Sequence, residues 1–151
     1  AVAFAGARRD DHLATLRAAA AYLRTERQET RGQKLGTVGF CMGGGLSGLL
    51  ACRDPDLAAA VIFYGAAPPA AEIPAIRCPV LGFYGGHDQR LMGQLPALVA
   101  AMDGAGKSFQ HHVYPDAGHA FFNDGRISYD VNAARDAFAR TLMFLQAALA
   151  G

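Results

Sequence analysis

Three side chains in this sequence have types and surroundings that could do chemistry together. Cys41 lies in GFCMGG, Asp88 in FYGGHDQR and His119 in YPDAGHAFF. A thiol attacks as the thiolate, which is only a small fraction of an ordinary cysteine near neutral pH. It therefore needs a base, and the base needs a group to orient it. Cys41, Asp88 and His119 follow in the chain order nucleophile, acid, histidine that hydrolases with a nucleophile elbow use. The pattern Gly39-Phe40-Cys41-Met42-Gly43 fits such an elbow, a sharp strand-to-helix turn that lifts its central side chain above the sheet edge. Glycines two residues to either side are expected because a Cβ there would collide with the neighbouring strand and helix. The amino end of the following helix favours negative charge on the sulfur.

Other readings of the glycine-rich bend fit less well. A phosphate-cradling loop needs Gly-Lys followed by Ser or Thr, and no lysine follows these glycines. A dinucleotide fingerprint needs GxGxxG, whereas the spacing here is GxxxGGG. A buried cysteine acting as a small hydrophobe remains the common fate of a single Cys. That is the expectation for Cys52, inside a helix, and for Cys78, before Pro79. A thiol redox sensor at Cys41 lacks a resolving cysteine at nearby spacing. His111 and His112 are adjacent in a strand, so they face opposite sides and cannot share a metal. His12 is expected on a helix surface, and His87 has no visible role. No metal and no organic cofactor is implied.

The elements that must position these residues alternate along the chain. Residues 11–28 place Leu13, Leu16, Ala20 and Leu23 on one helical face, with Asp10 and Asp11 at its amino end. The apolar-then-basic opening AVAFAGARRDD reads as a loop or strand end leading into that helix. It is the reverse of a secretory signal and too short to span a bilayer. Strands are expected at 34–40, 57–65, 79–86 and 108–116, and helices at 43–52, 95–106 and 130–149. The last helix carries Val131, Ala134, Phe138, Leu142, Leu145 and Leu149 at helical spacing. This alternation predicts an α/β fold with a parallel sheet covered by helices on both faces. Cys41, Asp88 and His119 then all lie past the carboxyl ends of strands, the rim where open α/β sheets bind ligands.

The 151 residues, 52% of them hydrophobic, suit one domain, 1–151, with a packed core. A net charge of +1 without a run of like sign argues against nucleic acid and anionic membranes as partners. Three cysteines without a CxxC pair argue for reduced thiols and a cytoplasmic location.

The motifs VGFCMGG, YGGHD and YPDAGHAFFND, with the helix AARDAFARTLMFL, together resemble the dienelactone hydrolase family of α/β-hydrolases, from the helix near residue 11 to the carboxyl end. The resemblance implies a three-layer fold with a mainly parallel sheet, of which about four strands are present and the amino-terminal side is not. It implies Cys41 as nucleophile, Asp88 as acid and His119 as base, and the Met42 N–H as one oxyanion donor. The second donor and an acidic residue that tunes the thiol belong to upstream segments. The expected substrate is a lactone or small ester. Tyr64, Tyr84, Phe121 and Phe122 are candidate pocket walls, with core packing as the alternative for each. The type enzyme places an arginine for a substrate carboxylate shortly after its histidine; here Asn123 stands near that place, and Arg126 lies further on. The strand at 34–40 is expected to expose an apolar edge. That edge suggests homodimer pairing or, as an alternative function, a catalytically silent piece acting as an assembly partner.

Overall fold

The computed structural model describes residues 2–150, with side chains from residue 8 onward. Helix α1 (Val2–Thr25) is followed by β1 (Leu35–Phe40), α2 (Met42–Arg53), β2 (Leu57–Phe63), a 3₁₀ turn (Ala70–Ala75), β3 (Val80–Gly85), α3 (Gln89–Gly104), β4 (Phe109–Tyr114) and α4 (Val131–Leu149). The four strands form one parallel sheet in the order β1-β2-β3-β4. Each step along the sheet goes the same way. Right-handed crossovers therefore put α2, the 3₁₀ turn and α3 on one face. Helix α4 packs against β1, β2 and β3 and covers the other.

Side-chain alternation confirms the two faces. Gly36 pairs with Ala59, and a Cβ on Gly36 would lie 3.2 Å from Leu145 Cδ2 of α4. A Cβ on Gly48 of α2 would lie 3.1 Å from Ile62 Cδ1. Ala59, Val61 and Phe63 thus look toward α4, and Ala60 and Ile62 toward α2. Both central strands are buried throughout their middles, as their unbroken apolar runs require. Ser47, buried in α2, donates its hydroxyl hydrogen to the Val61 carbonyl at 2.9 Å.

Three sequence expectations are corrected. The opening is helical from Val2, so Asp10 and Asp11 sit within α1 and not at its amino end; alanine and arginine are strong helix formers and no proline interrupts them. Asp10 instead meets Arg53 of α2 at 3.4 Å. Helix α3 begins at Gln89, six residues before the expected start, and runs through Pro96. Helix α4 buries Ala133, Ala134, Ala137 and Thr141, while Val131, Phe138 and Leu142 are exposed. Its small side lets the helix lie close to the sheet, and spacing of three and four marks two adjoining faces equally well.

The far end of α1 is held by an ion pair. Arg24 Nη1 donates to Asp54 Oδ2 at 2.9 Å, and Asp54 is the buried cap of α2. Packing of Leu13 and Ala20 into the core and this contact fix α1 beside the elbow.

Candidate active site

Cys41 stands between β1 and α2 with φ 55° and ψ −115°, a conformation that a side-chain-bearing residue adopts only when its surroundings impose it. Here the Cys41 N–H donates to the Phe63 carbonyl at 2.9 Å, and crowding fixes the turn. A Cβ on Gly39 would fall directly on the Gly43 carbonyl, and one on Gly44 would lie 2.6 Å from the Phe63 carbonyl oxygen. Gly43 itself has open space around it. The steric need thus falls on Gly39 and Gly44, and the second glycine of the GxCxG pattern is not required for room.

Asp88 and His119 come from the loops after β3 and β4, which backbone bonds tie together. The Gly86 N–H donates to the Tyr114 carbonyl at 2.8 Å and the His87 N–H to the Ala117 carbonyl at 3.0 Å. Asp88 caps α3, its Oδ1 accepting from the Leu91 N–H at 3.2 Å. Its Oδ2 lies 2.6 Å from His119 Nδ1, and His119 Nε2 lies 3.2 Å from Cys41 Sγ. The carboxylate is 7% exposed and the imidazole 36%. A buried carboxylate held on both oxygens fixes the Nδ1–H tautomer, leaving Nε2 free to accept a proton from sulfur.

Ala120 follows His119 at φ 64°, and its carbonyl accepts from the Asn123 N–H at 2.9 Å. Ala120→Gly is expected to stabilise the protein by about 0.5–1 kcal/mol, since glycine takes the left-handed region without the Cβ penalty but loses more chain entropy. Thermal unfolding checks this; a lowered Tm would refute it.

The remaining cysteines differ sharply from Cys41, which is exposed. Burial pushes the Cys52 thiol up to about 11, and burial likewise raises that of Cys78. Both stay protonated and packed. His111 is exposed against Phe109, and His112 stacks on Phe83, on opposite faces of β4.

A cavity of about 520 Å³ opens beside Cys41. Met42, Leu46, Leu49, Pro68 and Pro69 supply apolar wall, and Arg8, Arg9, His12 and Arg90 supply positive charge or donors. Sequence reasoning missed these basic residues. His12 reads as a surface residue because nothing in α1 says that its exposed side faces the elbow.

The candidate pocket walls are elsewhere. Tyr64, Tyr84 and Phe121 are buried in the core, and Phe122 is half-buried against Phe40 and Phe63. Asn123 is exposed, its Oδ1 accepting from the Gly125 N–H at 3.0 Å. Among the described residues none of these five lines the cavity. The rings of Tyr64, Phe121 and Phe122 pack around Phe63, whereas Tyr84 points to the opposite face of the sheet, over Gly82. Tyr84 carries its hydroxyl into the core without a hydrogen-bond partner among the described residues, and burial raises its phenol.

The model of the dienelactone hydrolase family matches residues 4–149. The chain belongs to that family. Relatives of this dienelactone hydrolase family member include a candidate carboxymethylenebutenolidase of Saccharolobus solfataricus, 43% identical over 76% of this chain and 44% of the relative. The carboxymethylenebutenolidase of Pseudomonas putida is 33% identical over 74% of this chain and 48% of its own. The chain thus spans about half the length of these relatives. Among solved structures, a candidate dienelactone hydrolase of Klebsiella pneumoniae superposes with a TM-score of 0.80 at 31% identity, over 87% of this chain and 59% of that one. The α/β-hydrolase fold of the family is the fold described above.

Proposed function

We propose that this chain carries the nucleophilic site of a hydrolase that opens lactones or cleaves small carboxylic esters through a thioacyl intermediate. The observation that carries the reading is His119 bridging Cys41 Sγ and Asp88 Oδ2 at 3.2 and 2.6 Å, three groups from three separate loops. In acylation the sulfur attacks the carbonyl carbon as His119 Nε2 takes the thiol proton. Negative charge on the carbonyl oxygen is received by the Met42 N–H at the amino end of α2. Collapse breaks the bond to the leaving oxygen, which takes the proton from His119; in a lactone this opens the ring. Water then attacks the thioester with His119 as base, releasing the acid and restoring the thiol. Asp88 stays ionised and holds the imidazole.

Arg8, Arg9, His12 and Arg90 around the same cavity favour an acyl or leaving portion that bears a carboxylate. This is the feature named in the carboxymethylenebutenolidases to which the chain is similar. The test is to quench turnover of p-nitrophenyl acetate in acid and map the acyl group by peptide mass. The expected result is acylation of the peptide holding Cys41, and faster acylation by an anionic ester than by a neutral one, an advantage that salt erodes. Acyl groups confined to Cys52 or Cys78 would overturn the assignment.

A second reading rests on β1, an edge strand on which Val38 and Phe40 are exposed. In it, the chain is a silent partner that pairs through this edge. Sedimentation at several concentrations separates the two, because an active monomer removes the second.

A further inference from the structure

Tyr64 is a tyrosine where the backbone asks for glycine. It follows β2 at φ 39°, although Gly65 comes next. Its N–H donates to the Phe83 carbonyl at 2.8 Å, which holds the left-handed turn in place. A non-glycine residue kept in this region is a sign that its side chain is needed where that turn sends it. Tyr64 is 3% exposed and its ring meets the His119 imidazole edge-to-face, centroids 5.1 Å apart and planes 61° apart. Phe121 backs it at 5.3 Å, also edge-to-face, and Phe121 rests in turn on Tyr114 at 5.1 Å. The imidazole therefore has one side against a fixed aromatic wall.

We propose that Tyr64 is the positioning residue for His119: its ring, held edge-to-face at 5.1 Å, fixes the plane of the imidazole between Cys41 and Asp88 as the proton moves. This rests on the thiol, imidazole and carboxylate acting as one unit. Among the described residues, the groups against the imidazole are Asp88 from the turn before α3, Cys41 from the elbow and Tyr64 from the end of β2. Beyond the sulfur, Arg8, Arg9, His12 and Arg90 line the cavity and oppose a second positive charge. Burial, and then the negative charge of the Cys41 sulfur, push the Tyr64 phenol up to about 12, so the ring stays neutral beside the imidazole.

The test reads the reactivity of Cys41 itself and needs no turnover. Alkylation by iodoacetamide near neutral pH is followed by peptide mass. Tyr64→Phe keeps the ring and is expected to react within about twofold of the parent, whereas Tyr64→Leu, which frees the imidazole plane, is expected to react about tenfold more slowly. Tyr64→Asn removes the ring while suiting the left-handed backbone, and serves if the leucine variant does not fold by circular dichroism. In the parent protein the ring protons of His119 are expected to be shifted by the ring current, a shift kept in Tyr64→Phe and lost in Tyr64→Asn. Parent-like alkylation in the ringless variants, or a phenylalanine variant as slow as they are, would overturn the inference alone. A parent Cys41 that alkylates no faster than the same cysteine in unfolded protein would overturn the proposed hydrolase site as well.

Discussion

Cys41→Ala is expected to lower ester hydrolysis by about 10⁴-fold or more, to the level left by binding and oxyanion contacts alone. No other thiol can take its place. Cys52 and Cys78 are buried among core side chains, and burial raises both above the ordinary thiol range. The substitution should leave the fold intact, because the Cys41 side chain is exposed and the contact that fixes the elbow is its backbone N–H on the Phe63 carbonyl. Steady-state rates with p-nitrophenyl esters, beside a thermal melt, provide the measurement. An alanine variant retaining a tenth of the parent rate with an unchanged melt would mean that the hydrolysis arises elsewhere.

Asp88→Asn is expected to cost about 10²–10⁴-fold in kcat while stability changes by less than about 1 kcal/mol. The two oxygens of Asp88 do different work. Oδ1 caps α3 through the Leu91 N–H and Oδ2 receives the Nδ1–H of His119. Asparagine can keep its oxygen on the cap, but its amide then points N–H groups at Nδ1. The imidazole must accept there and carry its proton on Nε2, the atom that should take the proton from sulfur. The fold is expected to survive and the proposed base to be disabled. Asp88→Ala, by contrast, should lose both rate and stability, and the pair of variants separates capping from catalysis. An asparagine variant with parent kcat would show that the tautomer of His119 does not matter.

Much of the architecture was legible because strands buried on both faces leave unbroken apolar runs. VIFYG and VLGFYG read as strands buried on both faces, and the structure puts β2 and β3 at the centre of the sheet. The glycine-flanked cysteine and the two glycine-turn loops were legible for a related reason: close backbone approach leaves glycine as its trace. Even so, the trace was partly misread at Gly43, where a Cβ has room, while Gly44 carries the contact with the end of β2. Element boundaries fared less well. The capping role of Asp88 set the start of α3 at Gln89, and α4 meets the core through its small residues together with Ala134 and Leu145 of the expected stripe, while Val131, Phe138 and Leu142 of that stripe face outward.

What the sequence determined by itself was the order of strands and helices and the placement of Cys41, Asp88 and His119 just past strand ends. These follow from local rules: burial period, turn chemistry and the residue types that can move protons. Only the tertiary structure decided the walls. Aromatic residues near the rim turned inward to fill volume, Tyr64 came to rest on the imidazole, and arginines from α1 and α3 took the cavity beside the sulfur. Which side of a helix or strand end faces a cavity depends on how neighbouring elements pack, and that packing is a property of the whole chain that no short stretch of it contains.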